Sequence, residues 1–189
     1  MAAEDTDMAD LTGRMMGALQ ADVKTLTEIE NDPSAMGQAV TVIAIAGVAA
    51  LIGNLFRSGI TAGVLAIIAS LLGYALFSLL VFLIGTKLMP EPATKANFSE
   101  AFRVIGFAAS PGVFNVLAII PFIGPLISLL VGLWSLVIAV VAVREVLDYS
   151  NTGRAIIVCL IAAVVCWVVL AIVLLPLLAA SFLARAAVG

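Results

Sequence analysis

Val104-IGFAASPGVFNVLAIIPFIGPLISLLVGLWSLVIAVVA-Val143 runs for forty residues without a charged side chain. As one α-helix it would be about 60 Å long, twice the roughly 30 Å of a bilayer's hydrocarbon. The segment Pro121-Phe122-Ile123-Gly124-Pro125 falls near its middle. Two prolines so close together interrupt a helix, because each lacks a backbone N–H and crowds the preceding turn. The stretch therefore predicts two membrane helices, about 104–120 and 123–143, joined by a very short turn. The alternative is a single re-entrant element, which enters and leaves by the same face.

Working outward, the amino-terminal side is a polar loop, Lys87 to Glu100, containing Pro90 and Pro92. Asn97 and Glu100 have the spacing of a capping box and announce the helix that follows. Further back lie apolar runs at 39–56 and 60–86, separated by Arg57-Ser58-Gly59. On the carboxyl side, Arg144, Glu145, Asp148 and Arg154 form a polar connection. A last apolar run reaches Leu183, with Pro176 expected to kink its final turns. The expected fold is all-α: a polytopic membrane bundle of five transmembrane helices (39–56, 60–86, 104–120, 123–143 and 155–178, within a membrane domain 39–183), preceded by an amphipathic amino-terminal helix.

Composition agrees. Of 189 residues, 63% are hydrophobic and 11% charged, against roughly half and about a quarter for a soluble domain. That excess of apolar side chain must face lipid. The opening MAAEDTDMAD is acidic where a secretory signal would be basic, so the spans themselves are expected to direct insertion.

Residues 1–38 are the sizeable polar region. Within them Met8, Leu11, Met15, Leu19, Val23, Leu26 and Ile29 recur every three or four residues, a helical stripe. It can lie in the interface, pair with a partner helix or dock on its own bundle. Its polar face carries Asp10, Asp22 and Glu28 against Arg14 and Lys24, a poor match for anionic lipid, and docking is the favoured reading. Asp32-Pro33 is expected to cap and start the first membrane helix.

Five spans place the amino terminus and the second and fourth loops on one side, with seven basic residues: Arg14, Lys24, Lys87, Lys95, Arg103, Arg144 and Arg154. The other side has two, Arg57 and Arg185. The positive-inside rule then puts the amino terminus in the cytoplasm and the carboxyl terminus outside.

Inside the expected spans there is no charge, whereas transporters and proton pumps usually hold one there. Ser110, Pro111 and Asn115 form a candidate polar joint in the third span. Proline frees a carbonyl there, and an asparagine amide cannot satisfy itself on its own helix. A packing bend competes with a solute-sensing kink. Gly124, Ser128 and Gly132 form a candidate helix-packing face in the fourth span, since small residues four apart let backbones approach closely in lipid. Trp134 and Trp167 lie inside spans rather than at their ends.

No histidine is present. The chain also has no phosphate-cradling glycine loop, no metal-ligand cluster and no nucleophile–base pair, so no catalytic residue, cofactor site or metal site is assigned. The acid concentrated near the amino terminus argues against nucleic acid as partner. Cys159 and Cys166, seven apart on one helix, are about 10 Å apart along its axis, too far to bridge.

Three stretches carry a family resemblance: Phe98-Ser-Glu-Ala-Phe-Arg-Val-Ile-Gly-Phe-Ala-Ala-Ser-Pro-Gly112, Ile120-Pro-Phe-Ile-Gly-Pro125 and Gly132-Leu-Trp-Ser135. Together they resemble the Yip domain family of Ypt/Rab-interacting membrane proteins and their prokaryotic relatives. Thr25-Leu-Thr-Glu-Ile-Glu-Asn-Asp-Pro33 is similar to the segment before the first span in bacterial members. The resemblance, over about residues 20–178, implies five spans with a cytoplasmic amino terminus, the arrangement the charge count reaches separately. This chain has no Asp-Leu-Tyr-Gly-Pro-type motif, so the resemblance implies a bacterial-type member and sets aside a Rab-type GTPase as partner. The expected role is a non-enzymatic scaffold or adaptor in a bacterial plasma membrane, working on the lipid bilayer, on a second copy or on another membrane protein. A small-solute transporter or channel with a joint near Ser110 and Asn115 is the alternative.

Overall fold

The computed structural model describes the backbone of residues 2–188 and the side chains of residues 10–56, 59–60 and 63–173. The side chains of Met8, Arg57, Ser58, Pro176 and Arg185, invoked above, lie outside those described.

Two helices precede the bundle, α1 (Ala2–Leu19) and α2 (Val23–Asn31). The helical run Ala35–Leu83 then breaks at Gly59, whose φ of 73° is left-handed backbone that glycine adopts without Cβ strain. Two long helices result, α3 (Ala35–Phe56) and α4 (Gly63–Leu88), the second closing in a π-helical turn at Ile84–Leu88. Next come α5 (Phe98–Ile119), α6 (Gly124–Val146) and α7 (Thr152–Val188). Five of these helices, α3 to α7, are long and apolar enough to cross a membrane.

The forty uncharged residues are thus divided, with Pro121 in the turn and Pro125 in the first turn of α6. That is the helical position a proline tolerates, because its missing N–H would have had no partner there. At the turn Phe122 takes φ 69° and is 100% exposed.

The helix α5 is the pillar of the bundle, and every residue from Ala101 to Gly112 on it is buried. It begins at Phe98, earlier than the uncharged stretch suggests, so Glu100 and Arg103 belong to its first turns. Asn97 starts it with a full capping box: the Glu100 N–H donates to Asn97 Oδ1 (3.0 Å) and the Asn97 N–H to Glu100 Oε2 (2.9 Å). After Phe107 the α-helix ends, and Ser110–Ile119 winds as a 3-10 helix. Pro111 cannot donate a backbone bond, and the tighter winding of about 3.0 residues per turn makes this half of the pillar slimmer. Neighbouring backbone uses that slimness. A Cβ added to Gly106 would meet Ala39, one on Gly112 would meet Ala46, and one on Gly53 would strike the Asn115 carbonyl. Where lipid surrounds the helices, contacts this close, rather than removal of apolar surface from water, hold a bundle together.

Two apolar clusters flank the pillar. One joins Leu26, Ile29, Val42, Ile43, Phe102 and Phe107; the other joins Val81, Ile84, Ile105, Val143, Val146 and Val158. Both lie in the half of the bundle where α2, α4 and α6 end and α5 and α7 begin. The polar connections are stitched together there. Thr94 Oγ1 donates to the Leu147 carbonyl (2.7 Å), and Glu91 Oε2 accepts from the Ser150 N–H (3.1 Å) and hydroxyl (3.0 Å). Arg154 pairs with Glu91 at 3.5 Å. The second and fourth loops therefore share one end of the molecule.

Candidate functional site

The amphipathic stripe does not form one helix. It folds back at Gln20–Ala21, where Ala21 takes φ 52°, so that α1 and α2 make an antiparallel hairpin against the bundle. The Asp22 side chain caps α2, accepting from the Thr25 N–H at 3.1 Å and the Thr25 hydroxyl at 2.6 Å. Folding back turns both apolar faces inward: Leu11, Leu26 and Ile29 are buried, while Val23 is exposed.

Two arginines fasten the hairpin. Arg14, 8% exposed, donates to Gln38 Oε1 (3.0 Å), Glu28 Oε1 (3.2 Å) and Asp32 Oδ2 (2.7 Å). It also pairs with Asp10 at 3.2 Å, so one guanidinium joins α1, α2 and α3. Asp32 is consequently not the cap of α3. Its carboxylate is held by Arg14 and by the N–H and hydroxyl of Ser34, and the helix starts at Ala35. Those bonds hold the Asp32 carboxyl down at about 2, the Ser34 hydroxyl contributing most and Arg14 next.

Arg103, 6% exposed, reaches from α5 to the end of α2. Its Nε donates to the Ile29 carbonyl (3.3 Å), its Nη2 to the Glu30 carbonyl and its Nη1 to Ser99 Oγ (2.9 Å). The last carbonyls of a helix have no partner within it, and a cation there also answers the helix dipole. Half-buried Glu30 lies beside Arg103, and Asp148, Glu100 and Glu145 also act on it. Burial first, and then those three carboxylates, push its carboxyl up to about 7, with Arg103 opposing.

Deeper in the bundle a cavity of about 370 Å3 opens between α3, α4, α5 and α6. Ser70, Tyr74, Asn115, Ser128, Gly132 and Ser135 line it, together with small apolar residues. The structure thus brings Asn115 of the candidate joint together with Ser128 and Gly132 of the candidate packing face. Ser110 and Pro111 are buried but do not line the cavity, and the Ser110 hydroxyl donates to the Phe107 carbonyl at 2.7 Å. Gly124 lies apart, buried at the start of α6. Gly132 has no atom within 4 Å of an added Cβ, so this part of the face borders open space. Both cysteines are free. Among the described residues no three His, Cys, Asp or Glu side chains gather as metal ligands would.

Three ties were not visible in the sequence. Arg103 stands one residue outside the uncharged stretch and reads there as a loop cation. Tyr149, which no motif marks, has its hydroxyl shared between the Gly85 (3.3 Å) and Met89 (2.8 Å) carbonyls. Trp134 has its partner on another helix: the indole N–H donates to the Leu19 carbonyl at 2.9 Å, joining mid-α6 to the tip of the hairpin.

A search of curated proteins and one of solved structures return no match. The family model of the Yip1 domain matches residues 16–183, a stretch that takes in the last turn of α1, all of α2 to α6 and all but the end of α7. That family is not in general one of enzymes. A multi-pass integral membrane protein built on this plan, the chain belongs to the Yip1 domain family.

Proposed function

We propose that the protein is a non-enzymatic membrane scaffold or adaptor that acts through helix–helix contacts. Its amino terminus and its second and fourth loops face the cytoplasm of a bacterial plasma membrane, and its carboxyl terminus faces the other side. The observation that carries this reading is how firmly one half of the bundle is tied. Arg14, Arg103, Tyr149 and Trp134 each bond across elements, and the pillar α5 meets α3 at three glycines. A tied bundle presents a fixed surface, as an adaptor requires. Exposed Gly132, with open space where a Cβ would stand, leaves room for close approach of another helix, from a second copy or from another membrane protein. A solute path through the cavity has less support, since its lining carries no charged side chain to compensate an ion.

The test is gentle extraction in lipid-preserving particles, followed by identification of what comes with the protein. A stoichiometric protein partner or a defined oligomer supports the scaffold. Protein that purifies alone, with a small solute held in the bundle, contradicts it.

A further inference from the structure

The hairpin does not lie on the end of the bundle; it reaches down its side. Ala21 packs against Ala108, Ile138 and Ala139, and the Leu19 carbonyl meets the Trp134 indole. Ile138 and Trp134 stand eight and twelve residues before Val146, where α6 ends among Arg144, Glu145 and Asp148. At 1.5 Å per residue the tip lies about 12 to 18 Å below that end. Half the hydrocarbon of a bilayer is about 15 Å.

What the tip exposes at that depth is largely polar, with Met16 and Val23 as its apolar members. Gln20, Asp22 and Lys24 are exposed, and Thr27, Glu28 and Asn31 continue the same polar outer surface along α2. Asp22 accepts from the Thr25 N–H and hydroxyl, bonds that favour its charged form. A lysine can extend its ammonium toward the interface, but an aspartate has no such reach. A carboxylate facing hydrocarbon at that depth is costly. Beside it the surface of α6 is apolar: Leu130, Leu133 and Val137 are exposed.

We propose that the α1–α2 hairpin is a wetted wedge: along its outer face, water and phospholipid headgroups descend to about the level of Trp134, thinning one leaflet on that side of the protein only. The occupant is the bilayer's own interface, because charge of both signs at Asp22 and Lys24 suits water and zwitterionic headgroups better than acyl chains. The wedge gives the scaffold a directional effect on the membrane. This rests on the reading that α3 to α7 span the bilayer.

The two tryptophans test it as a matched pair. Trp134 is about 18 Å along α6 from the charged end, and Trp167 about 22 Å along α7 from its own start at Thr152. They are 46% and 74% exposed. The full-length single-tryptophan variants W167F and W134F are reconstituted in phosphatidylcholine vesicles and quenched with aqueous acrylamide or with lipids brominated in mid-chain. Should W134F not fold, the difference between the unaltered protein and W167F supplies the Trp167 signal. The wedge predicts that acrylamide quenches Trp134 several-fold more than Trp167, while bromine quenches chiefly Trp167. Equal shielding of both from acrylamide, with bromine quenching both, overturns the wedge because acyl chains cover the tip. Shielding of Trp134 from both quenchers overturns it too, a protein surface then being the cover. Failure of bromine to reach Trp167 contradicts the spanning arrangement itself and is thereby distinguishable.

Discussion

The guanidinium of Arg103 donates to the backbone carbonyl of Glu30, while the Glu30 side chain sits half-buried among the carboxylates of Asp148, Glu100 and Glu145. The same cation closes the end of α2 and restrains the acid that burial disfavours. The hairpin's attachment therefore depends on pH. Docked, Glu30 titrates at about 7; released into water it returns to its ordinary 4.5. The docked form holds more protons between those values, so docking is strongest below about pH 4.5, weakens as pH rises through 7 and is weakest above. For a half-exposed group, screening leaves roughly 1 kcal/mol of the effect. Limited proteolysis of the hairpin should be faster at pH 8.5 than at pH 6, and Glu30→Gln should abolish the difference by protecting the hairpin at the higher pH.

Arg14 is the second fastening. Removing it takes away the cation shared by Gln38, Glu28 and Asp32, and bonds to a charged group contribute about 1.5–3 kcal/mol. Arg14→Met, which keeps the apolar stem, should release α1 to protease while α3 to α7 stay folded. An unchanged cleavage rate would mean that the apolar face of α1 alone suffices.

The glycines make opposite predictions on two helices. A Cβ on Gly53 has nowhere to go but the Asn115 carbonyl, so Gly53→Ala should lower thermal stability in detergent by about 1–3 kcal/mol. Gly132→Ala adds a methyl to open space and gains helix propensity, so it should be neutral or raise stability by up to about 1 kcal/mol.

Tyr149→Phe removes the hydroxyl that answers two carbonyls at the π-helical end of α4. A loss of about 1–2 kcal/mol is expected, together with faster hydrogen exchange around Met89. Loss of stability without a change in exchange there would place the effect elsewhere.

Much of the fold is legible in the residues. Pro121 and Pro125 divide forty uncharged residues at the right place, and Asn97 with Glu100 announces α5, because caps and breakers act within a few residues of chain. The hairpin is less legible. A continuous stripe from Leu11 to Ile29 fits one long helix as well as two. The break falls at Ala21, a residue with no turn preference, because the tertiary contacts of Leu26 and Ile29 outweigh local propensity. Asp32 misleads for a similar reason: a cap and an ion-pair partner need the same carboxylate, and Arg14 is eighteen residues away. Of the candidate site, Asn115 and Ser128 could each be singled out on their own helices. Their meeting in one cavity with Ser70 and Tyr74 depends on how four helices pack, and no spacing within one helix records that.

In the proposed arrangement five helices cross the membrane with the charged end in the cytoplasm. Site-directed labelling in a Cys159→Ala, Cys166→Ala background tests it most directly, using a membrane-impermeant maleimide and single cysteines at Lys95, Asn151 and Phe122. Phe122→Cys should label in intact cells, and Lys95→Cys and Asn151→Cys only in inverted vesicles. Labelling of Phe122→Cys from the same side as Lys95→Cys would make residues 104–143 re-entrant and contradict it.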